Sequence, residues 1–405
     1  MKKLLLLACT AVAAMSIHAQ TLAKFDNNEK SLVINKFTVH KSENIKSGLT
    51  SISDAKDYSN IKMILAKAPA MDALFGDYTE NLSREAISSS PASLEAYQGT
   101  DPDTQETKTY VKIILFNGLA DMIGEYDATT GKIVCGAQYI SYVDANYGKI
   151  AVWGMIQKED GMYWSQDLSF TVDELGSISL DQDAYALRIM EGDYAGYRIE
   201  ETRPSVTLIP ANGKEEGYIS GDNGYTKYSH NISIEDYEYT VNVYGFCGRG
   251  CASIDINDDG TVSVAAGQPI GYLDLEGDEL ATYGNYTMIT AYNVNSEGKL
   301  IKSEGNVAGT ISGNTITLND YIRLWSKLDS DDRGYASNYY GEQTFTLNEG
   351  TFIKGGNGTG IDEIGVTRED KIKNTKTYNL MGQQVNRATA KGLLIRDGKK
   401  YIKKY

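Results

Sequence analysis

Beyond residue 105 the chain alternates apolar and polar positions in short runs with a period of two, the spacing that sends successive side chains to opposite faces of a strand. Tyr, Val, Ile and Thr fill these runs, and Gly, Asn and Asp interrupt them at short intervals. The pattern predicts antiparallel β structure, with strands over 110–116, 132–135, 149–156, 169–172, 237–246, 261–264, 286–294 and 315–318. One segment departs from it. Asn60 to Lys67 sets Ile61, Ile64, Leu65 and Ala68 at helical spacing ahead of Pro69, so a short helix is expected there.

The chain also resembles itself. YVKIILFNGLADMIGEYDATTGKIVCGAQ, residues 110–138, lines up with YTVNVYGFCGRGCASIDINDDGTVSVAAGQ, residues 239–268, with one residue of slippage. Each run has a strand led by tyrosine, a corner bearing glycine, a turn ending in Gly131 or Gly260, an alternating strand, and then Gln138 or Gln268. GSISL at 176–180 and GNTITL at 313–318 follow in the same relative place. Ordered self-similarity of this kind predicts two tandem antiparallel β domains, barrel or sandwich, over 71–203 and 204–354. Pro204, Pro210 and Asn212-Gly213 mark the joint, and residues 20–70 form an N-terminal extension. A closed barrel of the calycin type is one form this could take, with Gly76-Asp77-Tyr78 opening its first strand.

In DINDDG, Asp255, Asn257, Asp259 and Gly260 occupy positions 1, 3, 5 and 6 of a calcium-binding loop. Position 12 is Ala266 where that loop needs a bidentate Glu, and both flanks alternate as strands. A hairpin turn is therefore expected, with Gly260 at positive φ and the Asx residues capping the backbone.

The two ends speak of export. Met1, Lys2 and Lys3 form a positive start, Leu4 to Ile17 an apolar run shorter than a spanning helix needs, and Ile17-His18-Ala19 a cleavage site, so residues 1–19 read as a secretory signal peptide. Leu6-Leu7-Ala8-Cys9 resembles a lipobox, but an acylated Cys9 would leave only five apolar residues before it. No later run is apolar enough to span a bilayer, so no transmembrane segment is expected after signal removal. After GGNGTG at 355–360 the text turns basic, and TYNLMGQQV (377–385) with KGLLIRDGKKYIKK (391–404) resembles the C-terminal sorting domain of proteins exported by the type IX secretion system of Gram-negative bacteria. Tyr378, Leu380, Gly382 and Val385 match the first part of that pattern; Lys391, Gly392, Leu393, Ile395, Gly398 and Lys399 match the second, with Leu394 where an aromatic is common. The resemblance implies the type IX machinery as a partner, passage through the outer membrane, removal of the tail, and release or attachment at the cell surface. It implies nothing about activity. Independently of it, the alternation of Tyr378 with Leu380 and the turn pair Asp397-Gly398 predict a small β unit over 355–405.

Charge and chemistry narrow the function classes. The formal charge is -15, yet residues 366–405 hold eleven Lys/Arg against three Asp/Glu and the signal peptide adds two lysines, which leaves the body between them with about -25. That field disfavours nucleic acid and acidic membrane surfaces as partners. Cys135 reads as a buried core thiol, while Gly248-Arg249-Gly250 can turn tightly enough to bring Cys247 and Cys251 into a disulfide. His40 and His230 lie far apart in sequence and read as ordinary polar residues, and carboxylate clusters such as Glu235, Asp236 and Glu238 read as a solvated face. No catalytic, metal or cofactor residue is singled out, and no cofactor is expected. Aromatic residues remain: 29 tyrosines, and Trp164, Trp325, Tyr339 and Tyr340 in particular, either stack on sugar rings or serve as half-buried strand residues. The expectation is a secreted or cell-surface all-β protein that binds or scaffolds extracellular glycan or protein. The alternative is a secreted polysaccharide hydrolase using paired carboxylates.

Overall fold

A computed structural model describes most of residues 74–352, together with Tyr58, three short strands before residue 66 and four after residue 376. The signal peptide lies outside the described residues. Strands β1 (Val39–His40), β2 (Ile45–Lys46) and β3 (Lys62–Leu65) come first. The chain continues through β4 (Gly76–Ser83), β5 (Ile87–Thr100), β6 (Thr107–Leu115), β7 (Ala120–Asp127), β8 (Lys132–Val134), β9 (Gln138–Asp144), β10 (Gly148–Lys158), β11 (Gly161–Ser165), β12 (Ser169–Val172), β13 (Ile178–Leu180), β14 (Ala184–Ile189), β15 (Arg198–Pro204) and β16 (Val206–Pro210). It then runs through β17 (Gly213–Gly221), β18 (Gly224–Asp236), β19 (Thr240–Phe246), β20 (Gly250–Ile256), β21 (Thr261–Val264), β22 (Pro269–Tyr272), β23 (Tyr286–Val294), β24 (Leu300–Lys302), β25 (Val307–Ser312), β26 (Thr315–Leu318), β27 (Tyr321–Leu328) and β28 (Asp331–Leu347).

Antiparallel pairing closes β4-β5-β6-β7-β8-β12-β13-β16 back onto β4. It closes β17-β18-β19-β20-β21-β25-β26-β28 back onto β17 in the same way. The protein is therefore all-β, built on closed antiparallel barrels. The remaining strands form a side sheet on each: β9, β10, β11, β14 and β15 on the first, β22, β23, β24, β27 and the first half of β28 on the second. The two series correspond strand for strand, β28 standing for both β15 and β16. Even the corner is kept, since Ser205 between β15 and β16 has φ 48° and Glu342 within β28 has φ 51°.

Alternation decides which side is filled. In β25, Val307, Gly309 and Ile311 are buried while Ala308, Thr310 and Ser312 are exposed. Val111, Ile113, Met122, Ile133, Phe170 and Leu208 fill the first barrel. The second closes over Val243, Ile254, Val264 and Ile316, with Phe246 and Phe345 stacked at 5.4 Å. Such interiors are packed cores, whereas a lipid-spanning barrel turns its apolar side outward. No helix among the described residues is long and apolar enough to cross a membrane.

The recurring glutamine has a structural reason. Strand β8 leaves the ladder after Val134, and Gln138 takes over by accepting from Ile123 N and donating to Ile123 O, both at 2.8 Å. Gln268 does the same for Ser253, at 2.7 and 3.1 Å, where β21 leaves β20. A side-chain amide thus completes two main-chain bonds that would otherwise be lost in the wall.

Two expectations are corrected. The segment read as a helix is strand β3, paired antiparallel with residues 97–100 of β5. Strand β5 outruns β4, whose pairing stops at Leu94, so its far end needs a main-chain partner that a helix cannot supply. The joint also lies later than residue 203. Strand β16 closes the first barrel, so Ala211-Asn212 is the connection, and Asn212 clamps Ile234 of the second through bonds of 2.7 and 2.8 Å.

The turn at 257–260 is a hairpin connecting β20 to β21. Gly260 has φ 79°, and Asp259 accepts from Thr261 N at 2.9 Å and from Thr261 Oγ1 at 2.6 Å. Residues beyond Asn357 form a separate compact unit. In it β29 (Thr377–Asn379), β30 (Gln384–Val385), β31 (Gly392–Arg396) and β32 (Lys399–Lys403) pair in the order β30-β29-β31-β32. Arg396 pairs with Lys399. Tyr378, Val385, Gly392 and Lys399 fall on these strands, while Leu380, Gly382 and Gly398 lie outside the described residues.

Candidate functional site

A cleft of about 490 Å³ opens where the first barrel meets its side sheet, lined by Lys132, Val134, Gln166, Asp167, Ser169, Asp181 and Gln182 among others. Its wall is made by two extended segments bonded together: Cys135 N and Gly136 N donate to Leu168 O, and Ala137 N donates to Gln166 O, each at 2.8 Å. The wall can approach because β10 has glycine at 154, where a Cβ would lie 2.0 Å from Asp167 O.

Asp181 anchors the floor. It accepts from Thr171 Oγ1 at 2.6 Å, Ser169 Oγ at 2.7 Å and Lys132 Nζ at 3.1 Å. Partial burial works against its charge, but the Thr171 and Ser169 bonds and the Lys132 ammonium outweigh it and hold the carboxyl below the ordinary range. Gln182 Oε1 accepts from Ser169 N at 2.9 Å. The side chains of Gln166 and Asp167 make no hydrogen bond among the described residues and line the cleft. Val134, 43 % exposed, adds an apolar spot. The set can donate to and accept from hydroxyl groups, and it contains a fixed anion beside a cation.

Each barrel also buries a glutamate at the same register position. Glu80 lies opposite Leu208, itself paired with Ile178; Glu215 lies opposite Phe345, itself paired with Ile316. Glu80 receives Tyr185 Oη at 2.6 Å, Arg203 Nε at 3.0 Å and Ser90 Oγ at 3.0 Å. Glu215 receives Tyr228 Oη at 2.6 Å, Gln343 Nε2 at 2.8 Å and Cys247 N at 2.8 Å, with His230 Nε2 at 3.3 Å. Thiol, imidazole and carboxylate thus meet in the second barrel. Burial, then the field of Glu215, push the Cys247 thiol well above its ordinary value, the reverse of what a nucleophile requires. Cys247 is 4 % exposed, so this assembly is a structural network.

The expected pairing of Cys247 with Cys251 is not formed; both are free, buried thiols. Cys247 belongs to the barrel core at φ 53°, its Sγ accepting from Gln343. Cys251 precedes the inward-facing Ala252 and therefore points to the other side of the hairpin, beside Glu235. Of the aromatics singled out from sequence, Trp164 and Tyr340 are buried, whereas Trp325 and Tyr339 are partly exposed. Trp164 is 4 % exposed and meets Trp153 edge to face, with the Arg188 guanidinium 4.7 Å from the Trp153 ring and 5.2 Å from the Trp164 ring. Arg323 sits in the same way against Trp325 at 4.6 Å and Tyr339 at 4.5 Å, and Tyr340 is buried with its hydroxyl on Cys247 O.

No protein-family model matches the chain, and no similar curated protein or solved structure was found. The cleft was not anticipated from sequence, because its lining comes from three separated segments of mostly common polar residues. Only the glycine of Gly154, in an otherwise apolar strand, signals a close approach there.

Proposed function

We propose that this is an exported protein of the cell exterior that binds an extracellular glycan without transforming it. The observation carrying the reading is the cleft: hydroxyl, carboxylate, ammonium and unengaged amide groups converge beside Val134 in about 490 Å³, a volume suited to one or two sugar rings. Exchange of hydroxyl hydrogen bonds with such a set gives modest affinity and high selectivity. The signal peptide and the sorting-like tail are the proposed route to the surface, through the type IX machinery.

Asp181 is not suited to be the general acid of the hydrolase alternative. A glycosidase needs one carboxyl kept protonated near neutrality, and the bonds to Asp181 stabilise its charged form instead. Glycan-array screening followed by calorimetric titration tests the proposal. Binding is expected, and Gln166→Ala or Asp167→Ala should weaken it about 5- to 10-fold, the value of one or two hydrogen bonds. Turnover of a bound polysaccharide, abolished by a single carboxylate substitution, would replace this reading with catalysis.

A further inference from the structure

We infer, resting on the reading of the cleft as a glycan site, that the sugar it selects carries a free amine: an amino sugar rather than a neutral or acidic one. The charged side chains lining the cleft, among the described residues, are Lys132, Asp167 and Asp181. Two of them cancel, since Lys132 Nζ lies 3.1 Å from Asp181 Oδ2. Asp181 is further occupied, its Oδ1 accepting from Thr171 Oγ1 and its Oδ2 from Ser169 Oγ. The Asp167 carboxylate has no such partner among the described residues and stands exposed, so the cleft presents one uncompensated negative charge. The backbone beneath that charge is pinned. Asp167 N donates to Ser165 Oγ at 3.1 Å, Asp167 O packs against Gly154, and the carbonyls on either side, Gln166 O and Leu168 O, accept from the 135–137 segment at 2.8 Å.

A ligand bringing positive charge gains from this arrangement, and the field of a strongly acidic body adds to the attraction. A uronate or sulfated sugar meets the opposite: Asp167 repels it, and Lys132 is already engaged with Asp181. One free carboxylate falls well short of the roughly six to eight oxygens that calcium takes, so the complementary cation is an organic ammonium, which donates to a carboxylate directly. The rest of the lining favours a polyol over a lysine side chain. Gln166 offers an unengaged amide, whereas Leu168 is buried and Val134 is the exposed apolar spot, too little surface for a methylene stem to lie along.

Calorimetric titration of the full chain, at constant ionic strength and about pH 6 where an amine is protonated, compares glucosamine and galactosamine with glucose, galactose and their N-acetyl and uronate forms. Each amine is expected to bind about two- to fivefold tighter than its neutral parent, the value of an exposed ion pair, and each uronate more weakly than either. Asp167→Asn keeps the shape and loses the charge, and should bring the ratio of amine to parent to about one. Lys132→Gln leaves the Asp181 charge without its cation and should raise that ratio. Sugars that bind with no preference for the amine, or a preference that survives Asp167→Asn, overturn the inference and leave the glycan reading of the cleft standing. No saturable binding of any sugar removes both. Saturable binding of N-acetyl-lysine amide, matched by no amino sugar, makes the site one for a peptide and overturns the sugar assignment.

Discussion

Replacing Glu215 by alanine is the sharpest perturbation available in the second barrel. Its carboxylate is fully buried and collects Tyr228 Oη, Gln343 Nε2, Cys247 N and His230 Nε2. His230 has a side chain 23 % exposed and can turn to water, but the other three donors face the core. Each buried donor left without a partner costs about 1–3 kcal/mol. Water entering the vacated volume recovers part of this, so a net loss of about 3–5 kcal/mol is expected, the range seen when one member of a buried charged network is removed. Glu215→Gln retains one acceptor oxygen but turns an amide toward two donors, and should lose roughly half as much. Urea unfolding followed by near-UV circular dichroism measures both. A loss under about 1 kcal/mol for alanine, or a glutamine variant worse than alanine, would refute the claim that satisfied donors hold this barrel end together.

Three further outcomes are expected. Gly154→Ala places a methyl group against the Asp167 carbonyl, where a Cβ would lie 2.0 Å from the oxygen, so it should cost about 1–3 kcal/mol and weaken any cleft ligand, read by thermal melting and calorimetry. Burial opposes charge on His230, but bonding and attraction from Glu215 and the Gly245 carbonyl prevail and raise its pKa above the ordinary value. The stabilisation is therefore complete below the unfolded-state pKa near 6.5 and is lost as pH rises through the higher folded-state value; urea midpoints across this window should fall, and His230→Gln should flatten the fall. Burial and then Glu235 push the Cys251 thiol up to about 12, and Cys247 is raised as well, so both should ignore a thiol reagent at pH 8 in the native state and react on unfolding.

Much of the architecture was legible in the sequence because two-residue periodicity is a local property. The run 286–294 reads directly as β23, and 169–172 as β12. The pairing of Gln138 with Gln268 was visible as spelling before its clamp on the neighbouring strand gave it meaning. The segment 60–67 misled because its spacing fits a helix, while the open end of β5 that recruits it is fixed by distant residues. Glu80 and Glu215 carry no local mark of burial, since groups that satisfy them lie far along the chain, Arg203 and Gln343 being 123 and 128 residues away. Trp164 and Trp325 suggested platforms; only the fold brings Arg188 and Arg323 against them.

The shared position of Glu80 and Glu215 carries a consequence for acidity. Both barrels keep the acid in one place but surround it differently: Ser90 stands opposite Glu80, with Arg203 reaching in from β15, whereas His230 stands opposite Glu215. Because guanidinium keeps its proton under all physiological conditions and imidazole does not, the cluster around Glu80 is indifferent to acidity and the one around Glu215 responds to it.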